Sequence, residues 1–255
     1  MLSKAGREVL IKSVASTISS YAGSHFILPA SHHETTRKAT TNFFYGQEDE
    51  RKKLHWISWT RLCRSKEKGG LGFREPTLHN RALLAKVAWR LFEQLDSLWA
   101  KFMKAIYFPN RQFLDASLGH NPSWAWRSIL EGRKVVESGL LWSIGNGNKV
   151  NIWSSNWIPS HHNFKIQGQR PSRCHLEKVE DLIDHGNRVW NMDLLNQLFS
   201  EEDREAIKKI HLSVNPSEDY VCWGGARNGL FSIKTVYHLL SNQRDRQLSS
   251  RVASS

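Results

Sequence analysis

A glycine-rich turn that leads directly into a long apolar helix is the feature that most constrains how this chain folds. Residues 66–74 read KEKGGLGFR, and their glycines allow backbone angles that other residues avoid. Pro76 then suits the first turn of a helix, where its missing N–H costs nothing. Up to residue 95 the apolar residues recur at helical spacing over a wide arc, so we predict a helix that is buried on most of its circumference.

The glycines of this turn raise the question of a phosphate-binding loop. A P-loop requires GxxxxGK[ST] and a dinucleotide site requires GxGxxG after a strand, whereas the sequence GGLG has neither spacing. An isolated GGxG pattern is a weak signal. We therefore favour a structural turn over an anion-binding cradle.

Helical periodicity extends over most of the first 138 residues. Ser3 is a predicted N-cap and Gly46 a predicted stop for two helices separated by Pro29, which suggests a helical hairpin. The first helix has an apolar face that consists of Leu10, Val14 and Ile18, together with Ile11, Ala15 and Ala22. A later helix over residues 97–107 is predicted to point inward the side chains of Leu98, Trp99, Phe102, Met103 and Ile106.

The periodicity changes after residue 139. Asn146-Gly147 and Asn228-Gly229 each stand between short apolar runs, which is a strong signal for a β-hairpin. Residues 242–255 are polar, and we predict that they form a disordered tail. The predicted fold class is α+β, mainly α, with helices followed by a small hairpin-containing domain that looks truncated.

Several protein classes do not fit this sequence. No apolar run approaches the ~18 residues of a membrane-spanning helix, and charged residues interrupt the N-terminus, unlike a signal peptide. We therefore expect an intracellular protein, nuclear or cytoplasmic, without membrane contact. Cys63, Cys174 and Cys222 are too widely separated for a disulfide framework or a zinc site. No spacing of carboxylates or nucleophiles indicates a catalytic constellation.

The positive charge is strong and unevenly placed. The formal net charge is +12, and residues 1–110 carry 18 Lys and Arg against 9 Asp and Glu, whereas residues 111–255 carry 18 against 15. A basic half of this kind is typical of a surface that contacts nucleic acid, although many basic proteins are merely soluble.

Ten short segments together resemble one family. The chain is similar to the reverse-transcriptase polyprotein of plant LINE-type (non-LTR) retrotransposons over residues 2 to about 240. The segments are LSKAGREVLIKSV (2–14), FILP (26–29), LHWISW (54–59), KGGLGFR (68–74), NRALLAKVAWRL (80–91), KAIYFP (104–109), WRSI (126–129), WSIGNG (142–147), IW (152–153) and NGLFSIK (228–234).

The resemblance implies a division of the chain into parts. Residues 1–47 correspond to a thumb-like helical hairpin and residues 48–138 to a helical connection. Residues 139–241 correspond to a hairpin-rich α+β segment that leads into a truncated zinc-binding reverse-transcriptase domain.

The same resemblance implies a fragment that lacks the polymerase palm. The catalytic aspartates of the family precede Met1, and its zinc ligands would follow Leu240. Mg²⁺ and Zn²⁺ are thus expected only for the full-length parent, an RNA-directed DNA polymerase that sometimes carries ribonuclease H, and no cofactor is expected here. Ser24-His25 and residues 43–45 depart from the family pattern, and residues 250–255 match nothing, which suggests a fragment or a decayed copy.

The expected role is therefore non-catalytic binding of an RNA–DNA template–primer. The alternatives are a co-opted helical module that binds protein, with partners unknown, and a fragment without function. The candidate nucleic-acid-binding residues are Lys4, Arg7, Lys12, Arg37, Lys38, Lys52, Lys53, Lys66, Lys68 and Arg74.

Overall fold

The structure, a computed structural model, describes residues 2–46, 56–161, 163–172, 174–213, 215 and 217–253. These residues form two compact units. Unit 1 comprises the described parts of Met1–Glu137 and Ser232–Ser255, and unit 2 comprises those of Ser138–Phe231. Helices dominate and the strands are short, which confirms the predicted α+β, mainly α fold class.

Helices, helical turns and short strands follow one another along the described residues. The helices are α1 (Lys4–Leu10), α2 (Ser16–Ile18), α3 (Ser20–Gly23), α4 (Ala30–Tyr45), α5 (Trp59–Leu62), α6 (Pro76–Glu93), α7 (Leu98–Tyr107), α8 (Trp124–Glu137), α9 (Met192–Leu198), α10 (Glu201–Lys208) and α11 (Ile233–Ala253). A π-helical turn (Ile11–Ala15) follows α1, and 3-10 turns occur at Lys66–Lys68 and Val179–Leu182. The strands are β1 (Leu140–Ser143), β2 (Ile183–Asp184), β3 (Val189–Trp190) and β4 (Tyr220–Trp223).

Local capping signals set the ends of the first helices of unit 1. The Ser3 hydroxyl accepts a hydrogen bond from the Gly6 N–H at 3.2 Å and so caps α1. Helix α4 follows Pro29 and ends at Gly46, whose φ of 66° is left-handed. The predicted cap, break and stop are confirmed.

The glycine-rich turn is held by its own backbone. The N–H groups of Leu71 and Phe73 both donate to the Leu62 carbonyl, and the Gly72 N–H donates to the Arg64 carbonyl. Gly72 has a φ of 70°. Because these N–H groups are already bonded within the chain, they are not available to an anion, and the structural turn is confirmed.

Helix α6 is the centre of unit 1. The Glu75 carboxylate caps it by accepting a hydrogen bond from the Leu78 N–H at 2.8 Å. Helix α8 packs closely on α6 at Gly132, where an added Cβ would lie 2.3 Å from the Leu84 carbonyl oxygen. The predicted burial of α6 is confirmed by its buried residues, which are Leu78, Asn80, Ala82, Leu83, Leu84, Ala85, Ala88, Trp89 and Leu91.

The two apolar faces recognised by periodicity in unit 1 are not covered as expected. Ile18 is 74% exposed, and Leu98 is 86% exposed on α7. Leu10, Val14, Phe102 and Ile106 are also exposed, so the inward prediction for Leu98, Phe102 and Ile106 is wrong. Ile11 of the first face and Met103 of the second are buried. Periodicity groups residues on a face, but it does not say which neighbour covers that face.

Helix α11 returns to unit 1 after the whole of unit 2. Val236 and Leu240 are buried, and the Tyr237 hydroxyl accepts a hydrogen bond from the Glu75 N–H at 2.9 Å. The helix continues to Ala253, which corrects the predicted disordered tail over residues 242–253, whereas residues 254–255 of that prediction lie outside the described residues. The helix forms because its buried first half packs on unit 1, and Gln, Arg and Leu residues with good helix propensity then extend it.

The strand pairing of unit 2 also corrects the sequence prediction. β1 pairs antiparallel with β4, with Leu140 opposite Trp223, and β2 pairs with β3. Because β1 pairs with β4 and not with the residues that follow Asn146-Gly147, the predicted hairpin at Asn146-Gly147 is wrong. At Asn228-Gly229 the chain does turn: the Gly229 N–H donates to the Ala226 carbonyl at 3.0 Å, and the Trp223 N–H donates to the Gly229 carbonyl at 2.9 Å.

A buried carboxylate binds the loop in which the Asn146-Gly147 hairpin was predicted. Asp219 is 4% exposed, and it accepts hydrogen bonds from the N–H groups of Gly145, Gly147 and Lys149 at 2.7–2.9 Å. This carboxylate holds the 145–149 loop against β4 rather than allowing the chain to fold back on β1.

A second buried carboxylate organises the other side of the unit 2 core. Asp203 is fully buried and accepts hydrogen bonds from the His161 ring at 2.9 Å and the Ser200 hydroxyl at 3.0 Å. It also accepts from the N–H groups of Gln167 and Gly168, both at 2.9 Å. Asp203 thereby ties the 161–168 loop to α10.

Candidate nucleic-acid interface

The two units carry very different charges. Over the full sequence ranges of the two units, residues 1–137 and 232–255 contain 26 Lys and Arg against 13 Asp and Glu, a net charge of +13, whereas residues 138–231 contain 10 against 11, a net charge of −1. The whole positive balance of the chain thus lies in unit 1. A polyanion would be attracted to this unit.

Two of the predicted cations share one carboxylate. Lys12 lies 2.7 Å from Glu8, and Lys66 lies 3.6 Å from the same carboxylate. The hydrogen bond from Lys12 lowers the pKa of Glu8, so the carboxylate is charged at neutral pH. Lys12 and Lys66 are therefore partly neutralised within unit 1.

A second carboxylate pairs with two more predicted cations on α4. The Arg37 guanidinium donates two hydrogen bonds to Glu34, at 2.9 and 2.6 Å, and Lys38 lies 3.5 Å from Glu34. The hydrogen bond from Arg37 lowers the pKa of Glu34. Arg37 and Lys38 are thus also compensated.

The remaining predicted cations have different surroundings. Lys4 is exposed on α1. Arg7 donates to the Phe44 carbonyl at 3.5 Å, which gives it a structural contact beside the end of α4. Lys52 and Lys53 lie outside the described residues.

Lys68 and Arg74 line a large cavity of unit 1, which we call the glycine-loop groove. Its volume is about 750 Å³. One wall comes from the 63–74 segment and the other from the 233–245 part of α11, and Ser20, His79 and Leu83 also line it. The groove therefore brings together two segments that lie far apart in the sequence.

Four exposed cations project from the lining of this groove. They are Arg64, Lys68 and Arg74 on one wall and Lys234 on the other. Among the residues that the structure describes, none of these four forms an ion pair. Of the two carboxylates in the lining, Asp245 pairs with Arg244 at 3.5 Å, which leaves Glu67 as the opposing charge.

A smaller cavity extends the groove towards the first helices. Its volume is about 310 Å³, and it shares Gly72, Phe73 and Arg74 with the glycine-loop groove while reaching Lys12 and Ser16. Arg74 thus stands where the two cavities meet.

Burial changes the chemistry of three groups that line the groove. Burial raises the pKa of the Tyr237 phenol to about 12, so its O–H remains protonated. Burial, helped by the neighbouring Arg74 charge, lowers the pKa of His79 to about 4, so the ring is neutral at pH 7. Burial also raises the pKa of Cys63 to about 12, which makes that thiol a poor nucleophile. These groups suit binding rather than covalent chemistry.

Two proteins of the plant Arabidopsis thaliana are similar to this chain. It matches no protein-family model. It is 31% identical over 245 residues to the Arabidopsis thaliana protein named "Putative ribonuclease H protein At1g65750", and the match covers 94% of this chain and 39% of that protein. It is also 40% identical over 121 residues to "Uncharacterized mitochondrial protein AtMg00310" of the same plant, covering 47% of this chain and 79% of that protein.

The chain belongs to the family of this mitochondrial protein. It spans only about two-fifths of the length of the relative named as a ribonuclease H protein. The family assignment therefore brings no activity with it, because the relative that establishes it is uncharacterized by name.

Neither a metal site nor a membrane span is found among the described residues. In the described ranges, no group of three or more His, Cys, Asp or Glu side chains is placed to hold a metal ion. No described helix is long and apolar enough to cross a membrane.

The structure adds residues that the sequence analysis did not select. Arg64, Lys234 and Tyr237 line the groove with the predicted Lys68 and Arg74. Arg64 lies two residues before the glycine-rich turn, so the sequence could have indicated it as a further cation near the turn. No local sequence pattern could have indicated Lys234 and Tyr237 as groove residues, because only the fold brings α11 back to unit 1.

Proposed function

We propose that this chain is a non-catalytic part of a plant LINE-type retrotransposon reverse-transcriptase polyprotein and that it contributes to binding of an RNA–DNA template–primer. The observation that carries the proposal is the set of four unpaired cations in the glycine-loop groove of a unit with a net charge of +13. Cations without protein partners can displace counterions from phosphates, which is the main source of affinity for nucleic acid.

Two further observations support this assignment. The motif segments of the reverse-transcriptase polyprotein occur in order along the chain, and the longer Arabidopsis relative is named as a ribonuclease H protein. Within the proposal, residues 1–47 are the thumb-like part, residues 48–138 the connection, and residues 139–241 the approach to a zinc-binding domain. Mg²⁺ and Zn²⁺ belong to the full-length parent, which acts in the nucleus or cytoplasm.

Equilibrium binding as a function of salt tests this function. The full chain is titrated into a fluorescently labelled RNA–DNA template–primer, and anisotropy is recorded from low to physiological salt. We expect binding that weakens steeply as salt rises. Affinity that does not depend on salt, or no binding at low salt, would contradict the proposal.

A primer-extension assay tests the non-catalytic part of the proposal. With template–primer, deoxynucleotides and Mg²⁺, the purified chain is expected to incorporate no nucleotide above background. Incorporation above background that persists after repurification would show an active polymerase and would overturn the proposal.

A protein-binding module is the alternative function. It is motivated by exposed apolar residues of unit 1, among them Trp56 at 80% exposure and Leu98 at 86%. Pulldown before and after nuclease treatment separates the two functions, since protein partners that survive removal of nucleic acid favour the module. A decayed fragment without function would instead give a broad, non-cooperative thermal melt.

A further inference from the structure

The glycine-loop groove has the dimensions of a site for a short stretch of one strand. Pockets of about 300–1,000 Å³ hold one small ligand, and this groove has a volume of about 750 Å³. A double helix, whose major groove alone is about 12 Å wide and about 8.5 Å deep, is too large to be enclosed in a cavity of this volume. A duplex would therefore contact only the rim, whereas a single strand can enter.

The donors in the groove are suited to phosphate oxygens. Arg64, Lys68 and Arg74 stand on one wall and Lys234 on the other, so a strand between them would meet cations on both sides. The Tyr237 oxygen accepts the Glu75 N–H, and its protonated O–H remains to donate.

The Phe and Tyr rings that line the groove do not offer an exposed platform for bases. Phe73 is 1% exposed and packs with Trp59 at 5.6 Å between ring centroids, and Tyr237 is partly buried. Proteins that bind single strands combine a positively charged groove that follows the backbone with exposed aromatic rings on which the bases stack, and this groove has the charges without the exposed Phe or Tyr rings. This groove therefore favours contacts to the phosphodiester backbone without preference for base sequence.

We infer that the glycine-loop groove binds the phosphodiester backbone of the single-stranded template next to the duplex, between the 63–74 segment and α11. The inference rests on the proposed function and deepens it, because it separates a single-strand site from the rest of the basic surface of unit 1. The groove residues bind and orient the strand and take no part in chemistry.

Three ligands and two variants of the full chain test this inference. The ligands are a blunt RNA–DNA duplex, the same duplex with a template overhang of about 8 nucleotides, within the ~4–16 nucleotide range of small single-strand sites, and the single strand alone. The variant R74Q/K234Q removes one exposed cation from each wall. The control K101Q/K104Q removes the same charge from exposed positions of α7, outside the groove lining.

Wild type and control are expected to bind the overhang duplex more tightly than the blunt duplex. R74Q/K234Q is expected to lose this gain, and its salt slope on the single strand is expected to fall by about 1.4, since each contact contributes ~0.7. A variant that keeps the gain, or one that weakens blunt and overhang duplexes equally, would overturn the inference while leaving nucleic-acid binding intact. Absence of wild-type binding to all three ligands would overturn the proposed function itself.

Discussion

Unit 1 and unit 2 use charged residues in opposite ways. In unit 2, Asp203 and Asp219 are buried and accept hydrogen bonds from loop N–H groups. In unit 1, Arg64 and Lys234 are exposed and stand in a groove without ion-pair partners among the described residues. The difference shows that a charge can hold a loop or remain available for a ligand, and that burial and pairing decide between these roles.

Removal of the most buried carboxylate of unit 2 gives the largest expected effect. Asp203→Ala leaves the His161 ring and two loop N–H groups without their acceptor, so we expect unit 2 to lose about 3–5 kcal/mol of stability. Urea unfolding followed by hydrogen exchange of the 161–168 loop measures the loss. Glu202→Ala, at an exposed position of the same helix, is the control, and equal effects of the two changes would contradict the role given to Asp203.

A glycine tests whether unit 1 depends on packing rather than on its charges. Gly132→Ala places a methyl group against the Leu84 carbonyl, so we expect a loss of about 1–3 kcal/mol, although helix propensity alone predicts a gain of about 1 kcal/mol.

Gly6→Ala in α1 is the matched control. There the nearest atoms to an added Cβ belong to the flexible side chains of Leu2 and Ser3, at 3.3 and 3.6 Å, so a small gain is expected. Thermal unfolding that shows a gain for both variants would contradict the close α6–α8 contact.

Acidification should destabilise the two units in different pH windows. The folded pKa of His79 is lowered from 6.5 to about 4 by burial and by Arg74. Between these values the unfolded chain binds more protons, so unit 1 loses stability as the pH falls from 6.5 to 4. We expect a loss of about 1–2 kcal/mol, after allowance for solvent around the partly exposed ring.

Unit 2 responds only at lower pH. Burial raises the pKa of Asp203, but the hydrogen bonds from the Gln167 and Gly168 N–H groups outweigh it, and the net pKa lies below the usual 3.8. The stability that the charged Asp203 carboxylate gives to unit 2 is lost only as the pH falls below 3.8. Hydrogen exchange across the pH range separates the units, and His79→Gln should flatten the response of unit 1 alone. A response unchanged in that variant would rule out His79 as its source.

The paired cations allow a gain-of-function test with a smaller effect. Glu34→Gln frees Arg37 and Lys38 on α4, so we expect the salt slope for an RNA–DNA duplex to increase by about 1, which is roughly one added phosphate contact. Glu205→Gln frees Lys208 in unit 2 in the same way. The comparison between units predicts no change for this control, and equal increases would show that unit 2 also binds.

Local signals explain which parts of the fold are predictable from the sequence. Ser3, Gly46 and Pro76 set helix ends through their own backbone preferences, and each is confirmed. The Asn146-Gly147 hairpin failed because Asp219, more than 70 residues away, captures the loop N–H groups and β4 takes the place of the near strand. Sequence periodicity does not reveal contacts between residues that lie so far apart in the chain.

The residues of the candidate site also divide into those with partners nearby in the sequence, which are predictable, and those with distant partners, which are not. Pairing of Lys12 with Glu8, and of Lys38 with Glu34, is foreseeable because the partners are four residues apart on one helix. Lys234 is not foreseeable, because only the return of α11 places it opposite Arg74 in the groove.

The salt slope of a fourfold groove variant tests the central claim most directly. In R64Q/K68Q/R74Q/K234Q, the slope of log affinity against log salt for the overhang template–primer should fall by about 3, at ~0.7–0.9 for each contact removed. The control K86Q/K101Q/K104Q/R127Q removes four exposed cations elsewhere in unit 1 and should change the slope much less. An unchanged slope in the groove variant, or an equal fall in both, would contradict the account.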